Sequence, residues 1–241
     1  MKKITLILLS LIISSCHSQD KDTNKNTPSK DIRKPKSLEI PVNQKTMETF
    51  TNEKFDIENY FKHYDKISRT YEHESSNGTK ILEADFDDSY YATLITKNSL
   101  FATHKEYYKN GLLKSKWETF GEGGFIKGLR YEYDLKGKLI KVEDWDKPYK
   151  FTWEQVKKYI EQDLKLDLLK DKLGVGNNLE YPGYSFPTWS INYMGKYKED
   201  PKGGLIRIML NGTTGELLLV ERQLGKGGDG TTVDILYKKK N

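Results

Sequence analysis

Two copies of one pattern, 26 residues apart, constrain this chain more than any other feature: Glu106-Tyr107-x-x-x-Gly111-x-Leu113 returns as Glu132-Tyr133-x-x-x-Gly137-x-Leu139. Self-similarity at such a period marks a supersecondary unit that stacks on its neighbour because it cannot bury its apolar face alone. The runs around it, YYATLIT, LFATHKEYY, LLKSKWETF, FIKGLRYEYD and KLIKVEDW, are rich in aromatic or β-branched residues. Between them lie Asn98-Ser99, Lys109-Asn110-Gly111, Gly121-Glu122-Gly123-Gly124 and Lys136-Gly137. Gly and Asn there supply the positive φ that tight hairpins demand. Leu129, Tyr131 and Tyr133 alternate with Arg130, Glu132 and Asp134, the period of a half-buried strand. An antiparallel meander is therefore expected from about residue 79. Within it, Gly124-Phe125-Ile126 with Gly128 and Tyr131 reads as an intermediate half-turn of the same design. Ahead of it, Phe55, Ile57, Tyr60, Phe61 and Tyr64 fall at helical spacing and predict a short helix packed on the sheet.

The stretches KEYYKNGLLKSKW and GLRYEYDLKGKLIKVEDWD resemble the MORN-type repeats of a bacterial family of toxin–antitoxin antitoxins, over roughly residues 100–146. The resemblance implies a β-repeat fold and an antitoxin or immunity role. Tyr107, Tyr108, Trp117, Tyr131, Tyr133 and Trp145 are the candidate partner-binding residues, because aromatics with polar tips give large contact area at low entropy cost. The competing reading of each is that it fills the covered face of the sheet.

The C-terminal part opens at Thr152-Trp153-Glu154-Gln155, the spacing of a capping box. Val156, Tyr159 and Ile160 continue as an apolar stripe, and Gly174 and Gly176 close that region. Strands are expected at Trp189–Tyr193, Leu205–Leu210, Leu217–Gln223 and Thr232–Lys239. This order, with LIRIMLNGTTGELLLV, resembles the PepSY-like domains of bacterial envelope proteins over roughly residues 150–222. The resemblance implies a helix on a small antiparallel sheet and a non-catalytic module with inhibitory or peptide-binding roles. The chain departs from that pattern in its Lys196–Gly204 insertion and its extra final strand. The expected fold class is α+β, mostly antiparallel β: a MORN-like hairpin meander followed by a small helix-on-sheet domain.

The start of the chain carries a different signal. Lys2 and Lys3 precede the apolar run ITLILLSLII, and Ser14 and Ser15 lead into Cys16, the only cysteine. Ten residues, eight of them apolar, are too few to span a bilayer, which takes about 20. The layout is that of a secretory signal, and Ile13-Ser14-Ser15-Cys16 resembles the lipobox of bacterial lipoproteins. That resemblance implies acylation of Cys16 and an anchored chain in the outer membrane, facing the periplasm or the cell surface. Residues 17–46 are polar and read as a disordered tether. The expected organisation is a signal over 1–15, anchor and tether over 16–46, helix and meander over 47–148, and the α+β module over 149–241. Removing Lys2 and Lys3 leaves 5 − 2 = +3 formal charges, a mild excess that argues against nucleic acid as partner.

No catalytic set stands out. His17, His63, His73 and His104 are scattered, serine lacks a G-x-S-x-G elbow, and no metal-ligand spacing occurs. Glu83, Asp85, Asp87 and Asp88 read as the wet face of a strand rather than a calcium loop, and Gly225–Gly230 as a flexible hairpin. The expectation is a non-enzyme without cofactor or metal that binds a protein partner, plausibly an immunity-type neutraliser of a toxin. The alternatives are a PepSY-like module that regulates a peptidase or binds peptides, and a hydrolase with a dispersed site.

Overall fold

The computed structural model describes residues 49–224 and 232–240. The signal, Cys16, the tether and the Gly225–Gly230 loop lie outside the described residues. The described chain is mostly antiparallel β, in two sheets with two short helices. Helix α1 (Ile57–His63) leads into seven strands: β1 (Thr70–Glu74), β2 (Lys80–Asp85), β3 (Ser89–Ile95), β4 (Phe101–Tyr108), β5 (Leu113–Phe120), β6 (Ile126–Tyr133) and β7 (Leu139–Asp144). They pair strictly in sequence order. Helix α2 (Trp153–Lys158) and a π-helical turn (Tyr159–Asp163) precede β8 (Leu173–Asn178), β9 (Thr188–Gly195), β10 (Gly204–Asn211), β11 (Leu217–Gln223) and β12 (Val233–Lys238). These five also pair in sequence order.

The 26-residue repeat is used inside the fold. In each copy the Tyr pairs with the Leu across the hairpin, Tyr107 with Leu113 and Tyr133 with Leu139, after a bulge that leaves Lys114 and Ile140 as the extra residues. Each Gly takes the positive φ its turn requires, +84° at Gly111 and +81° at Gly137. The segment before α1 then crosses both turns as an extended strap. Thr51 and Phe55 donate their N–H groups to the carbonyls of Gly137 and Gly111, each at 2.8 Å. Leu139 and Leu113 donate in return to the carbonyls of Thr49 and Glu53, at 2.9 and 3.1 Å. Four strap residues therefore span one repeat; fully extended they would reach about 13 Å, enough to cross the roughly 10 Å of two strand spacings with some slack. The strap feeds into α1, capped by the Asp56 side chain on the Asn59 N–H at 3.0 Å. The expected intermediate half-turn at Gly124–Ile126 is not a third copy. It closes the opposite end of the meander, where no strap passes, and Phe125 turns into another core.

Two apolar clusters result. One lies between α1 and the meander: Phe55, Tyr60, Tyr90, Tyr107, Leu113, Tyr133 and Leu139 are buried there, with Phe55 stacked on Tyr90 at 4.6 Å. The other joins the far end of the meander to the second sheet. Phe120 and Phe125 pack there with Trp153, Val156, Trp189, Ile191 and Ile208. Phe125 stands edge-on to Trp189 at 5.0 Å, and the Trp189 indole donates to the Phe151 carbonyl at 2.8 Å. The boundary near 148 thus separates the two sheets in sequence while one core runs across it.

The capping box of α2 forms, with Gln155 accepting from the Thr152 N–H at 2.8 Å. Two sequence expectations are corrected. Gly174 and Gly176 do not close the region that α2 opens but sit inside strand β8, paired with Asn192 and Ser190 of β9. Glu83 and Asp85 lie on the α1-covered face of the meander, opposite Tyr71 and Tyr90. Asp85 is held there by Arg69 and Lys109. The expected wet face is therefore largely dry at Glu83 and Asp85, while Asp87 and Asp88, beyond the end of β2, are exposed. Among the described residues no helix is long and apolar enough to cross a membrane.

Candidate functional site

Pairing registers sort the meander's side chains into two faces, since directly opposed residues point the same way. One row runs Tyr71, Glu83, Ala92, Lys105, Lys116, Tyr131, Val142 on the α1 side. The neighbouring row, Thr70, Ala84, Tyr91, Glu106, Ser115, Glu132, Lys141, belongs to the opposite face. The six candidate aromatics divide accordingly. Tyr107 and Tyr133 are buried under α1 and Tyr131 packs beside them, so these three fill the covered face. Burial and the nearby Glu53, which accepts from the Tyr107 hydroxyl at 3.1 Å, push the Tyr107 phenol upward. Trp117 and Tyr108 lie on the opposite face. Trp145 follows β7 and lines a cavity away from both.

The open face is built around a residue that sequence reasoning set aside, His104. It lies opposite Thr93 and Trp117. Its Nε2 is 2.7 Å from the Thr119 hydroxyl, which itself donates to the Gly121 carbonyl at 2.6 Å. The Thr119 proton is thereby committed, so Nε2 carries the ring hydrogen and Nδ1 accepts from the Tyr91 hydroxyl at 2.9 Å. That network assigns a neutral imidazole, and burial pulls its pKa below the ordinary value, against a smaller opposite pull from Glu122. Trp117 stacks on the His104 ring at 5.5 Å and meets Tyr91 edge-on at 5.9 Å. The Arg130 guanidinium lies 4.8 Å over the Trp117 ring. Ion pairs rim this stack, Lys114 to Glu106 at 2.7 Å and Lys141 to Glu143 at 2.6 Å, with Glu132 between Arg130 and Lys141.

Every hydrogen bond, ion pair and ring contact of Tyr91, His104, Trp117 and Arg130 among the described residues is made within the meander and its turns. The arrangement offers a rigid aromatic centre with a guanidinium and a rim of both charges. Among the described residues no group of His, Cys, Asp or Glu could hold a metal ion. The signal missed in the sequence is the two-residue alternation of β4, which sets His104 on the same face as Tyr108. No known protein family, no curated protein and no solved structure matches the chain.

Proposed function

We propose that this chain is a lipid-anchored, non-enzymatic binding protein of the bacterial envelope that engages a protein partner through the uncovered face of its seven-stranded sheet. The observation that supports this reading is the stack of Arg130 on Trp117 on His104, fixed by Tyr91 and Thr119, whose hydrogen bonds and ring contacts among the described residues stay within the meander and its turns. Trp, Tyr and Arg dominate interface hot spots because they bury much area with few degrees of freedom, and here their rotamers are already spent on one another. Pre-ordering of this kind lowers the entropy that association must overcome. The anchor rests on the lipobox-like residues before Cys16, and the immunity-type role on the MORN-like resemblance of residues 100–146.

The test compares the anchored wild-type chain with a Trp117→Ala/Arg130→Ala double variant, both purified from detergent extract. A stoichiometric protein that co-purifies with the wild type and is lost from an equally stable double variant is the expected result. A partner retained by the double variant sinks this face as the contact.

A further inference from the structure

A cavity of about 660 Å³ opens where the Gly121–Gly124 turn, Trp145 and strand β8 meet. Five of its lining residues are glycines, which present backbone. Gly174 and Gly176 face it from β8, and a Cβ on Gly174 would meet nothing within 4 Å. Ser190 and Asn192, opposite those glycines on β9, line it together with Asn177. None of these three side chains makes a hydrogen bond among the described residues, and neither does the Trp145 Nε1. The one ionisable group in the lining is Glu122.

The chemistry of the lining narrows the ligand. With no cationic side chain and one carboxylate, the cavity repels phosphates, nucleotides and other anions. Two carboxamides and a hydroxyl offer both donors and acceptors, which suits a neutral ligand carrying hydroxyl or amide groups. An indole beside flat glycine backbone suits a ligand with one apolar face. Strand addition by an extended peptide is disfavoured by the turn itself. A Cβ on Gly124 would stand 3.0 Å from the Val175 carbonyl oxygen, so the turn already covers the middle of the β8 edge. We propose that this cavity binds a neutral saccharide, its apolar ring face toward Trp145 and its hydroxyl or acetamido groups toward Asn177, Ser190 and Asn192. The site shares the Gly121–Glu122 turn with the edge of the open face but does not depend on that reading.

The experiment titrates the full-length chain in detergent micelles with three neutral trisaccharides: triacetylchitotriose, cellotriose and maltotriose. The readout is the Trp145 indole N–H resonance, assigned with Trp145→Phe. A saturable shift with at least one trisaccharide is expected. Gly174→Val, which fills open space without a strained φ, is expected to weaken it roughly tenfold, the equivalent of one or two lost hydrogen bonds with unchanged thermal unfolding. Asn192→Ala serves as a second variant with the same expectation. No shift with any of the three, or equal affinity in both variants, overturns the proposal. A shift produced instead by a capped alanine-rich peptide overturns it as well.

Discussion

The backbone N–H of Thr51 donates to the Gly137 carbonyl at 2.8 Å, and a Cβ on Gly137 would fall inside 3.0 Å of the Thr51 carbonyl oxygen. The corresponding Gly111 has a similar φ, yet its nearest neighbours to such a Cβ, from Phe55 and Ile57, stand off at 3.4 Å. The two copies of the repeat bind the same strap with different tightness.

Gly137→Ala is therefore expected to cost more than Gly111→Ala. Both bear the left-handed backbone penalty of about 1–2 kcal/mol. Only Gly137→Ala must also push the strap away and weaken the Thr51 and Leu139 hydrogen bonds, about 1 kcal/mol each. Urea unfolding of the two variants reads the difference directly; equal losses would mean that the strap gives way freely at Gly137.

How far the sequence discloses this arrangement depends on which signals are local. The period-2 runs, the turn glycines and the capping box at Thr152 are local, and the hairpins follow from them. The strap is not. Residues 49–55, Thr-Phe-Thr-Asn-Glu-Lys-Phe, carry no sustained apolar period, because their register is set by the backbone of two distant turns. Strand β8, Leu-Gly-Val-Gly-Asn-Asn, has poor strand propensity and exists by pairing with β9. The charged β1, Thr-Tyr-Glu-His-Glu, was equally illegible. Of the candidate aromatics, the alternation assigns Tyr131 and Tyr133 to one face, but only the cover of α1 decides that it is the dry one.

Glu83 carries a pH dependence that follows from that cover. Burial, with the Asp56 charge nearby, pushes its carboxyl from 4.5 up to about 7, and the neighbouring His73 Nε2, at 3.8 Å, is too far to hydrogen-bond it. The folded state thus holds its proton more tightly than the unfolded chain. Stability from this group is full below the unfolded value and is lost as pH climbs to about 7. Glu83→Gln should therefore raise the thermal midpoint above wild type at neutral pH, with the gain shrinking toward pH 4.5. A constant difference across that window would show that the Glu83 carboxyl titrates as in the unfolded chain.

His104 has the opposite sign. Its pKa is lowered by burial from 6.5, so the folded chain binds this proton less tightly than the unfolded one. The stability it contributes is present above the unfolded value and is lost as pH falls below it. Subtracting the pH profile of His104→Gln from that of wild type should leave a slope that weakens the wild type under acid conditions. A flat difference would mean that the Tyr91 and Thr119 hydrogen bonds persist with a protonated ring.

The lipid anchor has a simple test. Cys16→Ala should shift the chain to the soluble fraction or leave its signal uncleaved, because after Ile13 no apolar run approaches the roughly 20 residues a spanning helix needs. Sedimentation of a signal-cleaved variant with membranes at high salt would remove acylation of Cys16 as the means of attachment.

Phe125 decides whether the two sheets unfold as one. It lies at the β5–β6 turn of the meander, yet its ring contacts Trp153 at 5.1 Å and Trp189 at 5.0 Å, beyond the sequence break near 148. Phe120 joins it, 5.2 Å from Trp153. Removing a buried Phe side chain costs about 3–5 kcal/mol, a large share of the roughly 5–15 kcal/mol that holds a domain folded. Phe125→Ala should accordingly lower the midpoint of both sheets together, seen as one transition by near-ultraviolet dichroism of the tryptophans and by far-ultraviolet dichroism of the strands. The isolated 150–241 piece should lack a cooperative transition, because it exposes the Trp153 and Trp189 faces that Phe120 and Phe125 cover. A sharp transition of that piece at the wild-type midpoint would show instead that the second sheet completes its core without the meander, and that these ring contacts are incidental to its stability.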